Sequence, residues 1–266
     1  MTSLKHLVPA LAVGALMLTG CSSTESPTTP ATDASGAPAI ALVKGDVLTV
    51  CTNPPFEPFE FIEGDKIVGL DMDLTAEIAK DLGVEQQVIT TGFDAMESGA
   101  ALNTSQCDVV ATGMSITEGR KANIDFSEPY FAADLGLLVK AGSDIASEAD
   151  LEGKKIGVQK ATVGDTWVAD KGLTGVQFDD LGLQIQALKT GQVDAVINDY
   201  AVLGTYESDE LAIVATLPTD DVYGIAVKKG NTALLEKVNA TLARVKSDGT
   251  WTTIHTDRFG FAPAED

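Results

Sequence analysis

Residues 69–82 read GLDMDLTAEIAKDL. Leu74, Ile78 and Leu82 recur at every fourth position, which lays them along one face of a helix. Asp71 or Asp73 can cap its start and Gly83 its end. Upstream, the β-like run 47–51 is followed by residues 59–62 and 66–68, which flank Glu63-Gly64-Asp65 and predict a hairpin. Downstream, residues 88–90 predict a strand, 94–103 a helix and 108–111 another strand. Strand–helix–strand order of this kind predicts a largely parallel sheet covered on both faces.

The pattern restarts near residue 135. Residues 135–140 (LGLLVK) form a strand, a helix starts near 147, and KIGV at 155–158 is a strand. A helix follows over 163–171, then a strand at 176–178, a helix over 181–190 closed by Gly191, and the strand VDAVI at 193–197. VYGIAVKK at 222–229 mirrors GLLVKAGS at 136–143, each an apolar strand running into lysine and glycine. The last helix, 232–247, aligns Leu235, Val238, Leu242 and Val245. The expectation is two α/β lobes with two extended segments crossing between them. In open α/β sheets ligands bind beyond the carboxyl ends of the strands, and two lobes can turn those ends toward one cleft.

Composition narrows the partners. The 266 residues carry 18 Lys+Arg against 39 Asp+Glu, a net charge of -21, so nucleic acid and anionic lipid would be repelled. Hydrophobic residues make up 44% of the chain, enough for a full core. Residues 7–18 (LVPALAVGALML) are apolar but short for a permanent span. They lead into LTGC at 18–21, which resembles a bacterial lipoprotein signal over 1–20 and implies acylation of Cys21. The Ser/Thr/Pro-rich stretch that follows predicts a flexible tether over 21–44. Cys51 and Cys107 leave a disulfide open. Export favours it, while strand positions at the end of one strand and the start of its neighbour would hold the two too far apart. His6 and His255 have no nearby Cys or His, so no metal is expected.

Four fragments carry a resemblance: GLDMDLTAEIAKDL at 69–82, GMSITEGR at 113–120, IDFSEPY at 124–130 and VDAVIND at 193–199. In this order and spacing the chain resembles the solute-binding proteins of polar amino-acid ABC transporters (family 3 extracellular solute-binding proteins), over nearly all of 46–262. The resemblance implies the type II periplasmic-binding-protein fold: lobe 1 from 45–129 and 224–262, lobe 2 from 135–218, and a two-segment hinge at 130–134 and 219–223.

It also implies a site. Arg120 would bind the ligand α-carboxylate, a role suited to its planar, permanently charged fork. Ser115 would add a hydroxyl and Gly113 a close backbone approach. Asp199 would accept the α-ammonium. Thr162 and the Val163 amide would meet the carboxylate at a helix start, although Ala161 stands where the family usually has glycine. Phe56 and Phe93 would sandwich the aliphatic part of the ligand, with Phe59 assigned to the core. Asn53, Gln159 and Asn198 would contact its side chain, Asn53 replacing the aspartate of many cationic-amino-acid binders. Glu57 is close in sequence but is expected to point outward.

The function implied is capture of a free, polar L-amino acid by a monomeric, palmitate-bearing lipoprotein on the outer face of the cell membrane. It would deliver the ligand to an ABC permease, with no cofactor. The alternative on the same fold is a cyclohexadienyl-dehydratase-like enzyme. Acid–base chemistry needs a positioned group, and the cleft motifs contain no histidine.

Overall fold

The computed structural model describes residues 40–263. The signal segment, Cys21 and most of the expected tether lie outside the described residues. The tether's last part, 40–44, is instead packed: Ile40 and Leu42 rest on the core, and the Val43 N–H donates to Asp108 Oδ1 at 2.6 Å.

The chain runs β1 (Val47–Thr52), β2 (Phe61–Glu63), β3 (Lys66–Val68), α1 (Leu70–Leu82), β4 (Glu85–Thr90), α2 (Phe93–Glu97), α3 (Ala100–Asn103), β5 (Val109–Val110), α4 (Glu118–Lys121) and β6 (Ile124–Phe126). It continues through β7 (Phe131–Lys140), β8 (Lys155–Gln159), α5 (Val163–Asp170), β9 (Thr174–Phe178), α6 (Leu181–Thr190), β10 (Ala195–Asp199) and α7 (Tyr200–Leu203). It ends with β11 (Leu211–Tyr223), β12 (Ala226–Lys228), α8 (Thr232–Ser247) and α9 (Thr250–Phe259). Two five-stranded sheets result, ordered β4-β1-β5-β12-β6 and β11-β7-β10-β8-β9, beside the hairpin β2-β3. Each has a parallel core, β4-β1-β5 and β10-β8-β9, edged by antiparallel strands. The fold is therefore α/β with two sheet-bearing lobes, the type II periplasmic-binding-protein arrangement.

The expected elements are present except the helix near 147, which is a single 3-10 turn at Glu148–Leu151, and there are five further departures. The helix expected over 94–103 breaks in two at Gly99, which sits at φ 77°; a Cβ there would lie 2.8 Å from Ile124 Cγ2. The mirrored run 222–229 is not one strand, because β11 ends at Tyr223 and β12 belongs to the other sheet. Strand β11 begins at Leu211, and its end pairs with the start of β7, Asp221 against Ala133 and Tyr223 against Phe131. The two crossing segments thus run side by side, with a register shift between Leu217 and Asp221. Helix α9 follows the helix expected to be last, and its Phe259 stacks on Phe131 at 5.4 Å and meets Phe59 edge-on at 5.7 Å.

Fifth, α1 places Leu74 and Ile78 in the core and ends at Gly83 in the left-handed conformation, but neither Asp71 nor Asp73 caps it. Asp73 pairs with Arg258 at 2.6 Å. Asp71 turns inward, fully buried, and accepts from the Gly113 N–H and the Tyr130 hydroxyl, both at 2.7 Å. Cys51 and Cys107 form a disulfide with a Cα separation of 5.8 Å. Strand β5 begins only at Val109, so Cys107 lies in the turn after α3, where Ser105 takes φ 57°, and is not held in strand register.

Candidate functional site

The carboxyl ends of four parallel strands converge. Asn53 follows β1, Thr112 and Gly113 follow β5, Gln159 ends β8 and Asp199 ends β10. With Phe56, Glu60, Phe93, Ser115, Arg120, Thr162 and Val163 they line one small, nearly closed cavity. Every residue expected at the site lines it except Asn198.

Arg120 lies on α4, whose first turn is capped by the Thr117 side chain. Its guanidinium is buried, donating to the carbonyl oxygens of Ser115 at 2.7 Å and Ala161 at 3.0 Å, with the Phe93 ring 5.2 Å from its centre. The neighbouring acids do not claim it: Glu118 pairs with Lys121 at 2.9 Å and Asp125 with Lys229 at 2.6 Å. Burial lowers the Arg120 pKa, opposed by Glu97, Asp199 and Asp221. An arginine stays cationic under such a shift.

Asp199 opens α7 without capping it through its side chain. Removal from water raises its pKa to about 7; the nearby Tyr223 hydroxyl and Arg120 lower it, and Asp221 raises it. The Tyr223 hydroxyl is itself buried and falls outside hydrogen-bond geometry. Asn198 is the correction. Successive side chains of a strand face opposite ways, so with Asp199 in the cavity Asn198 turns into its own lobe. There it donates to Gln184 at 2.9 Å and accepts from the Asp199 N–H at 2.8 Å.

Gly113 lines the cavity with its backbone held from behind. Its N–H is held by Asp71, and its φ of 51° brings its backbone against Phe56, where a Cβ would lie 2.5 Å from the ring. The close approach is to that aromatic wall. Ser115 and both rings, Phe56 and Phe93, are buried at the cavity, while Phe59 belongs to the core. Thr162 caps α5 by accepting from the Asp165 N–H at 3.2 Å, and Val163 stands in the first turn, where amides lack intrahelical partners. Ala161 adopts the left-handed conformation at φ 66°, so alanine occupies a glycine-like position here. Asn53 accepts from Gln159 Nε2 at 2.8 Å and donates to the Thr91 carbonyl at 3.0 Å. Glu57 is exposed.

Two lining residues escaped the sequence reading, Glu60 and Thr112. Glu60 is fully buried; its Oε1 accepts from the Thr112 hydroxyl, and its Oε2 has no partner. Burial, then the Asp71 charge, pushes the Glu60 pKa well up, against the pull of Thr112, Thr52 and the Asn53 backbone. Burial likewise raises Asp71 to about 7, against the Gly113 and Tyr130 bonds. The available signal was a glutamate inside the aromatic run PPFEPFEF. Among the described residues no cluster of His, Cys, Asp and Glu could hold a metal ion.

Comparisons with known proteins bear on the chain as a whole. The family model described as bacterial extracellular solute-binding proteins, family 3, matches residues 48–261. A probable histidine-binding protein of Neisseria gonorrhoeae is 32% identical over 96% of this chain and 95% of its own. The ABC transporter glutamine-binding protein GlnH of Bacillus subtilis is 36% identical over 75% of this chain and 76% of its own. Among solved structures, an ancestral arginine-binding protein bound to arginine superposes with a TM-score of 0.76 at 41% identity, covering 81% of this chain and 99% of that one.

Proposed function

This chain belongs to the bacterial extracellular solute-binding proteins, family 3, binding proteins rather than enzymes, and from that premise we propose that it captures a free polar L-amino acid and delivers it to the permease of an ABC importer. The observation that carries the reading is that Arg120 and Asp199 line one cavity from opposite lobes. A cation and an acid so placed match the two charged ends of an α-amino acid. Arg120 receives the carboxylate in its fork, helped by Ser115 and by Thr162 and Val163 at the start of α5. Asp199 receives the ammonium, which returns it to the ionised form. Phe56 and Phe93 clasp the aliphatic stem, and Asn53 and Gln159 face the side chain.

The two lobes close on the ligand by rotation at 130–134 and 219–223, the paired ends of β7 and β11. An acylated Cys21 holds the monomer on the outer face of the membrane; among the described residues no helix is long and apolar enough to cross it. Relatives named for histidine, glutamine and arginine support a polar ligand. Mass spectrometry of ligand released from purified protein, followed by calorimetry across the amino acids, tests the reading. One polar amino acid bound stoichiometrically and unaltered supports it; no amino acid binding, or turnover of the bound ligand, contradicts it.

A further inference from the structure

Capture of a zwitterion leaves one buried acid of the cavity unaccounted for. Arg120 is the one cation among the lining residues, and Glu60 and Asp199 are the acids. With a zwitterion bound, Arg120 faces its carboxylate and Asp199 its ammonium. Glu60 then has no counter-charge. One of its oxygens is taken by Thr112, and the other, Oε2, is buried without a partner. The neighbouring Thr52 hydroxyl favours the ionised acid but is itself without a hydrogen-bond partner. Behind Glu60, α1 presents Asp71, whose negative charge opposes ionisation of Glu60. The other titratable groups around the pair are the buried phenols Tyr130, bonded to Asp71, and Tyr223 at the end of β11. Among the groups facing Glu60, none is a cation. An isolated buried carboxylate is strongly disfavoured, so the acid either keeps its proton or meets a cation.

We propose that Glu60 reads the charge of the ligand side chain: it receives a guanidinium or ammonium as a carboxylate, and a neutral carboxamide or ureido group as a protonated acid. The proposal rests on the reading that Arg120 and Asp199 hold the backbone of an amino acid here. Its consequence is a proton count. When a cationic side chain docks, the O–H bond of Glu60 breaks and the proton passes to the buffer. When a neutral side chain docks, the proton stays and is donated to the ligand's carbonyl oxygen. Binding of cationic ligands therefore strengthens as pH rises, by up to about tenfold per pH unit while Glu60 titrates. Binding of neutral ligands lacks this contribution.

L-arginine and L-citrulline isolate the effect, because citrulline has the same length with a neutral urea in place of the guanidinium. Both carry the same α-carboxylate and α-ammonium, so any proton exchanged at Asp199 cancels between them. Calorimetry of each in buffers of different protonation heat, from pH 5 to 8, counts the protons. The expected result is up to about one more proton released by arginine, with arginine's preference over citrulline growing with pH. In Glu60→Gln the difference in proton count vanishes and arginine weakens by about tenfold or more, while citrulline still binds; thermal unfolding of the ligand-free variant confirms that it folds. Equal proton counts for the two ligands in the wild type would overturn the proposal, as would a Glu60→Gln variant that keeps the difference. Preference for an acidic or wholly apolar amino acid over both would also overturn it, while leaving the amino-acid reading intact. Binding of no amino acid at all would remove both.

Discussion

The Arg120 guanidinium donates to the carbonyl oxygen of Ala161 at 3.0 Å, joining the two sheet-bearing lobes beside the cavity. Ala161 makes that bond from a left-handed backbone, φ 66°, while its own N–H donates to Asp165 Oδ2 at 3.1 Å. A non-glycine residue there carries strain of about 1–2 kcal/mol. Ala161→Gly relieves it but loosens the unfolded chain by roughly 0.5–1 kcal/mol. The variant should be as stable as the wild type or up to about 1.5 kcal/mol more so. Ala161→Val should lose stability and bind ligand more weakly. Urea unfolding of both variants, with calorimetry, checks this.

Two further contacts join the lobes and differ in worth. Gln159 is buried when it donates to Asn53, whereas the Lys160–Asp94 pair, at 2.9 Å, is about half exposed. A buried hydrogen bond contributes about 1 kcal/mol, so Gln159→Ala should speed ligand release by roughly fivefold. Asp94→Ala should leave it nearly unchanged, because an exposed pair is screened by solvent and salt. Stopped-flow dissociation rates separate the two.

Buried acids set the pH dependence of the ligand-free fold. Asp71 and Asp199 are raised from 3.8 to about 7. Between those values the folded state holds more protons than the unfolded one, so stability falls as pH rises through that window. Stability at pH 5 should exceed that at pH 8 by on the order of a few kcal/mol. Asp71→Asn should flatten the slope while weakening the Gly113 and Tyr130 contacts. Chemical denaturation across pH decides it; stability that rises toward pH 8 would contradict it.

Most of this architecture was legible. Helix α1 could be read because its fourfold apolar spacing ends in Gly83, and α6 could be closed at Gly191; the structure finds both glycines left-handed. Helix α9 was not, because Thr250, Thr252, Thr253 and Thr256 interrupt its apolar face and its packing runs through Phe259 onto Phe131. The lower part of β11 was hidden by Pro218 and by mixed burial along a bulged strand. Asp71 looked like a cap because caps are local, whereas its partners Gly113 and Tyr130 lie 42 and 59 residues away. The cavity-facing set was found through short motifs, and strand alternation alone would have excluded Asn198 beside Asp199. Glu60 stayed unread because an acid among aromatics has no periodicity to mark it.

The Cys51–Cys107 bridge closes a loop of 56 residues that contains α1, β4, α2 and α3. Constraining the unfolded chain over a loop of that size contributes on the order of 2–4 kcal/mol. The double variant Cys51→Ala/Cys107→Ala should lose about that much stability and retain ligand binding, since neither cysteine lines the cavity. Denaturant titration of the variant against the oxidised wild type measures it.

Titration calorimetry of Arg120→Ala beside Lys121→Ala tests the proposed role of Arg120 in holding the carboxylate of an amino acid. Truncating one member of a buried charge pair costs about 2–5 kcal/mol. Arg120→Ala should therefore bind roughly thirty- to several-thousand-fold more weakly, and Arg120→Lys should remain impaired because an ammonium cannot reproduce the fork. Lys121 pairs with the exposed Glu118 outside the cavity, so its removal should leave affinity unchanged. Circular dichroism must show both alanine variants folded. An Arg120→Ala protein that is folded and binds its amino acid as tightly as the wild type would contradict the account.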